Sequence, residues 1–294
     1  MVKYSQCQIM GEIMINILLC GNKKVFDGAL CELISITRRT SEPITCYIFT
    51  ADVSRLNENY MPITDEQIEF LDSFVKETNI ESSVIKKDVT SIYEEEFLNS
   101  PNESAYCTPY TLLRLLPDKV DGMPDKLLYL DIDMMIGDDL TKLYNINIDD
   151  YEYAAVKEKV GKWFISTDYI NAGMLLMNMN KIKETGLLEK ARDKIKTKKM
   201  LFADQDAIYR STTKKMILPR IYNEQARFND KNTVVCHFCK RLLWYPYPHT
   251  ANYKQWHVDE VHSILKCYAF DDDLNEYLRL KNMFEEKDIS YEKR

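Results

Sequence analysis

No apolar run in this chain approaches the roughly 18 residues that a membrane-spanning helix needs, and the opening MVKYSQCQIMGEIM lacks the apolar core of a signal peptide. The expected location is therefore the cytoplasm. A basic excess is missing as well: 39 Lys and Arg face 46 Asp and Glu, a formal net charge of −7. That excludes a nucleic-acid binder working by broad phosphate neutralisation, and an anionic nucleotide would need a local basic pocket. There is no disulfide framework. The eight cysteines, at 7, 20, 31, 46, 107, 236, 239 and 267, are scattered, several within apolar strand-like runs, as reduced core thiols are. The single C-x-x-C, Cys236 to Cys239, has no second pair to complete a zinc site. Internal repeats, low-complexity tracts and Gly/Ser linkers are absent too, so 294 residues with 45% hydrophobic composition read as one main domain with a C-terminal extension.

What is present alternates between strand and helix patterns. Residues 15–20, INILLC, form a first strand, followed by the polar turn Gly21-Asn22-Lys23-Lys24 and by apolar residues at helical spacing from Val25 to Ile34. ITCYIF at 44–49 is the next strand. This β-turn-α-β opening predicts a parallel sheet with its ligand edge at the Cys20 to Lys24 turn. Residues 64–78 read as an amphipathic helix with a Thr64/Gln67 capping box, 82–89 as a weaker strand, and 109–116 as a helical turn begun by Pro109. YEYAAVK at 151–157 and NAGMLLMN at 171–178 are further strands, 180–196 is a helix, another short helix follows Asp204-Gln205-Asp206, and TVVCHF at 233–238 is a late strand. The tail from about 254 is helical. The class is α/β.

The stretch 127–140, LLYLDIDMMIGDDL, stands out. A short apolar run flanked by polar residues reads as a buried strand, and since a strand alternates its side chains, Asp131 and Asp133 are expected to share one face. Two carboxylates that close are costly without a cation, a proton or an exit into a cleft, and the carboxyl end of a central strand is where open α/β sheets bind ligands. One alternative is a solvated strand end. Another is a D-x-D-x-T/V phosphatase site, but Met135 stands where Thr or Val is wanted. His237 also ends an apolar run, in a chain with four histidines. It is either a filler or a third ligand in an O,O,N set suited to Mn²⁺, with Mg²⁺ as the alternative. Asn171-Ala172-Gly173 is either a plain turn or a set of hydrogen-bonding groups beside a close backbone approach. Asp204 reads first as an N-cap, which leaves Gln205 and Asp206 for function. Arg114, the one charge among leucines, is either a structural ion pair or a phosphate binder.

In order along the chain, the T-x-x-R-L segment Thr111 to Leu115, LYLDID with the turn Gly137 to Leu140, Asn171-Ala172-Gly173, Asp204-Gln205-Asp206 and His237-Phe238 resemble glycosyltransferase family 8 over about residues 15–257. The resemblance implies a single GT-A-type domain with a Rossmann-like mixed central sheet flanked by helices, and a helical extension at 258–294. It implies a retaining transfer of glucose or galactose from a UDP-sugar to a glycan or lipid-linked glycan. Asp131, Asp133 and His237 would hold Mn²⁺. Cys20, Gly21, Asn22 and Lys24 would face the uridine, with Ile132 in the same nucleotide-sugar set. Arg114 would face phosphate or sugar, and Asp168, Asn171, Ala172, Gly173, Asp204 and Gln205 would surround the sugar.

Two departures are visible. The first turn has Gly21-Asn22 where the family often has Ala-Asp or Asp-Asp. The family's HFxGxxKPW signature has Lys240 at its glycine position, while a Lys-x-Trp occurs later, at Lys254 to Trp256, beyond LLWYPYPHTANY. Lys254 and Lys240 are thus both candidates for the diphosphate lysine. The residue the family places beneath the anomeric carbon is Gln205, a poor nucleophile, which favours front-side attack by the acceptor, with Asp168 or Asp204 as the alternative nucleophiles. A binding protein without turnover is the rival function. The aromatic and basic stretch Lys240 to Tyr253 is an acceptor-side loop or a peripheral contact with the inner face of a membrane.

Overall fold

The computed structural model describes residues 13–103, 108–159, 161, 165–243, 247 and 249–292. Seven strands form the central sheet: β1 (Ile15–Cys20), β2 (Ile44–Thr50), β3 (Ser83–Asp88), β4 (Lys126–Leu130), β6 (Tyr153–Lys157), β7 (Ile170–Asn178) and β8 (Lys215–Leu218). Their order is β3-β2-β1-β4-β7-β6-β8. The first four run parallel, as the opening β-turn-α-β unit requires, and β7 is antiparallel to both β4 and β6.

Strand alternation divides two cores, one on each face of the sheet. Ile15, Ile17 and Leu19 of β1, with Leu128 and Leu130 of β4, pack under the helix Phe26–Arg39. Leu18, Cys20, Leu127 and Tyr129 point the other way, toward the 3₁₀ segment Pro109–Leu115 and the helices Met179–Thr185, Leu187–Thr197 and Ala203–Ser211. The helix Asp65–Thr78 starts at the expected capping box, with Gln67 N–H donating to Thr64 Oγ1 at 3.2 Å and Thr64 N–H to Gln67 Oε1 at 3.1 Å.

The single helix expected over 180–196 is two. Gly186 sits at φ +66°, left-handed backbone that a helix interior cannot contain, and the chain turns there. The C-terminal helix Asp271–Glu292 packs on the helix Phe26–Arg39. Leu274 and Tyr277 are buried, Asp273 pairs with Arg39 at 2.7 Å, and the Phe26 and Phe284 rings lie 4.6 Å apart.

Two small ladders complete the fold. β5 (Met134–Ile136) pairs antiparallel with β9 (Val235–His237), Met134 opposite His237. β10 (Arg241–Leu243) pairs with β11 (His249–Ala251) in a hairpin. Residues 244–246 and 248, within the aromatic insert, lie outside the described residues.

Candidate active site

Strand β4 ends at Leu130, so Asp131 to Asp133 form a turn linking β4 to β5 and not a continuous strand. Asp131 and Asp133 therefore do not share a strand face. The two carboxylates converge because the chain leaves the sheet at Asp131 and re-enters a ladder at Met134. That ladder delivers His237, which lies opposite Met134. Among the described residues, Asp131, Asp133 and His237 form one group whose ligand atoms all lie within 4.8 Å of one another.

Each member is oriented by neighbours. Asp131 Oδ1 accepts from Arg114 Nη2 at 2.8 Å and from the Tyr129 hydroxyl at 2.5 Å, which turns Oδ2 toward His237. Nε2 of His237 lies 3.1 Å from Asp133 Oδ1 and 3.7 Å from Asp131 Oδ2. The other ring nitrogen is fixed by a relay whose polarity follows from its last link. Gly173 N–H donates to Asn171 Oδ1 at 3.0 Å, Asn223 Nδ2 donates to the same oxygen at 2.8 Å, and Asn223 Oδ1 is thereby left to accept from His237 Nδ1 at 3.0 Å. His237 thus carries its proton on Nδ1 and presents Nε2 to two carboxylates. An imidazole nitrogen facing two carboxylate oxygens makes an O,O,N donor set that fits a divalent cation.

The site leaves no space behind it. A Cβ on Gly173 would lie 2.4 Å from His237 Cε1 and 2.8 Å from Asp131 Oδ2. Asp133 is 7% exposed. Burial alone would raise its carboxyl, but His237 and Lys254 hold it well below the usual carboxylate range. Lys254 Nζ donates to Asp133 Oδ2. Next to it, the fully buried Gln255 donates through Nε2 to the Ile132 carbonyl at 2.9 Å and bears on the Met134 carbonyl at 3.4 Å, pinning the turn.

Arg114 does not face open space for a phosphate. It is buried, donates to the Thr111 and Ala172 carbonyls at 3.0 and 2.7 Å, and pairs with Asp131 and with Asp204, the latter at 3.1 Å. Its guanidinium lies over the Tyr129 ring, 4.5 Å from the centroid. Asp204 is correspondingly not a helix cap: Phe202 occupies the N-cap of Ala203–Ser211, and Asp204, one residue inside, turns to Arg114. Burial raises the Asp204 carboxyl above its ordinary value despite that guanidinium, and Asp131 adds to the rise. Gln205 Oε1 accepts from Ala172 N–H at 3.0 Å, which ties the helix start to the Asn171 to Gly173 segment.

The remaining candidates divide. Cys20 is buried, and burial pushes its thiol up. Asn22 is buried too, accepts from Lys24 N–H at 3.0 Å and donates to the Asn59 carbonyl at 3.4 Å. A Cβ on Gly21 would run into Val25, so the tight turn after β1 needs glycine. Lys24 and Lys240 are exposed. Asp168 is engaged away from the Asp131 group, by Lys215 at 2.7 Å, Ser166 at 2.6 Å and Tyr209 at 2.7 Å, and these hydrogen bonds hold its carboxyl well below the ordinary range. Tyr129, Asn223 and Gln255 were not singled out from sequence. Tyr129 carries a weak signal, as the one hydroxyl in an apolar strand two residues before Asp131; Asn223 carries none.

Comparisons with known proteins identify the family and the fold. The model of glycosyl transferase family 8 matches residues 16–257. A glycosyltransferase of Haemophilus influenzae is 28% identical over 170 residues, covering 54% of this chain and 47% of the relative. The chain thus spans about half the length of that curated relative. Among solved structures, an active-site mutant of LgtC superposes with a TM-score of 0.62 at 17% identity, covering 92% of this chain and 96% of that one. GlyE of Streptococcus pneumoniae superposes with a TM-score of 0.61 at 16% identity, covering 94% and 64%. The fold, a mixed seven-stranded sheet flanked by helices, is that of the GT-A glycosyltransferases, and the chain belongs to glycosyltransferase family 8.

Proposed function

We propose that this chain is a retaining hexosyltransferase that moves glucose or galactose from a UDP-sugar to a glycan or lipid-linked glycan. The observation that carries the reading is the relay from Gly173 N–H through Asn171 and Asn223 to His237, which aims one ring nitrogen at two carboxylates. Asp131, Asp133 and His237 would hold Mn²⁺, or Mg²⁺ in its place, and the ion would neutralise charge on the leaving diphosphate. The neighbouring LgtC has been solved with donor and acceptor sugar analogues, which supports a donor and a glycan acceptor here.

The protein's own groups do the rest. Arg114 keeps one oxygen of Asp131 occupied so that the other faces the ligand. Gln205 accepts from Ala172 N–H through its carbonyl and its side chain also bonds the Tyr169 hydroxyl, which would hold it in place beside the sugar. The alternative nucleophiles are poorly placed: Asp204 is buried against Arg114 and Asp168 is held by Lys215. That supports front-side attack, in which the acceptor hydroxyl bonds to the anomeric carbon as the bond to phosphate breaks and its proton passes to the departing phosphate oxygen. The first turn, Cys20 to Lys24, would receive the uridine, and Lys254, with Lys240 second, the diphosphate. Residues 15–257 would form the transferase unit and 258–294 its helical extension. No helix among the described residues is long and apolar enough to cross a membrane; a cytoplasmic place, peripheral to the membrane when the acceptor is lipid-linked, follows from the acceptor class.

The test is a UDP-sugar panel with Mn²⁺, reading UDP release with and without simple glycans. Asp131→Asn/Asp133→Asn serves as the blank. Release of inorganic phosphate instead of UDP, or no manganese-dependent product from any donor, overturns the reading.

A further inference from the structure

Both oxygens of Asp133 are taken. Oδ1 faces His237 Nε2 at 3.1 Å and Oδ2 accepts from Lys254, and the side chain is 9% exposed, so water has little access to it. The surrounding charge is nearly balanced: Asp131, Asp133 and Asp204 face Arg114 and Lys254. A divalent ion on Asp131, Asp133 and His237 would reverse the sign of that small site and set two cations on one carboxylate. The side chain free to yield is the lysine. Arg114 is buried and bonded to two carbonyls and two carboxylates, whereas Lys254 is one-fifth exposed and has a flexible stem. Its backbone is anchored next door, since Gln255 is pinned to the Ile132 and Met134 carbonyls and the Trp256 ring abuts Gly28. The ammonium can therefore leave Asp133 by rotation of its own side chain, with the loop in place.

We infer that Lys254 and a divalent cation compete for Asp133, and that the diphosphate of the donor settles the contest by drawing the ammonium onto itself. Lys254 then does more than bind phosphate: it couples the two ligands, so that the cation binds weakly alone and tightly with the nucleotide. This rests on the nucleotide-sugar reading above for its second half, and on the Asp133 contact alone for its first.

The experiment titrates Mn²⁺ into the full chain by electron paramagnetic resonance of the free ion, with and without UDP. Wild type is compared with Lys254→Met and Lys254→Gln, which remove the charge, and with Lys254→Arg, which keeps it; thermal melts establish that each is folded. Without UDP, the Met or Gln variant is expected to bind Mn²⁺ about tenfold more tightly than wild type, and the Arg variant as wild type does. UDP should tighten Mn²⁺ binding about tenfold or more in wild type and by less in the Met or Gln variant. Equal or weaker Mn²⁺ binding by both neutral variants in the absence of UDP overturns the competition. Tighter binding by them with no response to UDP in any protein keeps the competition and overturns the nucleotide-sugar reading instead.

Discussion

Asn223 reaches no ligand position, yet it decides which nitrogen His237 offers. Replacing it by Ala frees the ring to flip or change tautomer, and Mn²⁺ affinity is expected to fall about 10- to 100-fold with the melting temperature little changed; manganese titration with calorimetry checks both. Gly173→Ala should be harsher, because its Cβ would lie 2.4 Å from His237 Cε1: Mn²⁺ binding is expected to vanish in a protein that still shows native circular dichroism. Glu32 supplies a pH test. It is fully buried in the helix Phe26–Arg39, neither carboxylate oxygen has a partner, and burial raises its pKa well above the ordinary value, with Asp133 and Asp131 adding to the rise. A carboxyl raised by folding favours the native state below its unfolded pKa and loses that advantage as pH climbs toward the folded value. Glu32→Gln, uncharged at every pH, should therefore gain stability over wild type as pH rises from about 4.5 to 8, by about 1 kcal/mol or more at the upper end. A melting-temperature difference that stays flat across that range refutes the assignment. Asp131, Asp133 and His237 were legible as metal-competent residues because their types in a strand-end context are chemically conspicuous. Asn223 and Gln255 were not, since a side-chain amide is unremarkable until its partners are known.

At the scale of elements, sequence periodicity located the strands of the central sheet except β8, the helix over 26–39 from its apolar spacing, and the helix over 65–78 from spacing and capping box together. It failed where a local event interrupts the pattern. The helix across 180–196 kept its period through Gly186, and only the positive φ there shows the break. Gly186→Ala is expected to cost about 1–2 kcal/mol by forcing a Cβ into left-handed backbone, lowering the melting temperature without altering Mn²⁺ affinity. The turn at Asp131 to Asp133 carries a strand pattern in sequence because its flanks, β4 and β5, are both apolar and buried. The pairing of β5 with β9, which carries His237 to the aspartates across about a hundred residues, has no local trace at all.

For the molecule as a whole, the alternation of strand and helix patterns indicates the α/β class and the order of motifs the family, while the boundary expected at residue 258 crosses a shared core. Leu274, Tyr277 and Leu280 of the C-terminal helix enter the same core as β1 and the helix Phe26–Arg39, and Asp273 is buried against Arg39. Ending the chain at Phe270 should therefore strip the cover from that core and lower the melting temperature by several degrees in a single cooperative transition; an unchanged melting temperature would mark the helix as an appendage.

The reversal of strand direction between β4 and β7 has a geometric consequence of its own. With the two strands antiparallel, the exit of one lies beside the entrance of the next, so Asp131 N–H meets the Gly173 carbonyl at 2.7 Å. Had β7 run with its neighbours, its first residues would sit at the far end of the sheet, a strand length of about 17 Å away for five residues. A segment some forty positions downstream is thus brought next to the aspartates by polarity alone, with no long loop spent on the journey.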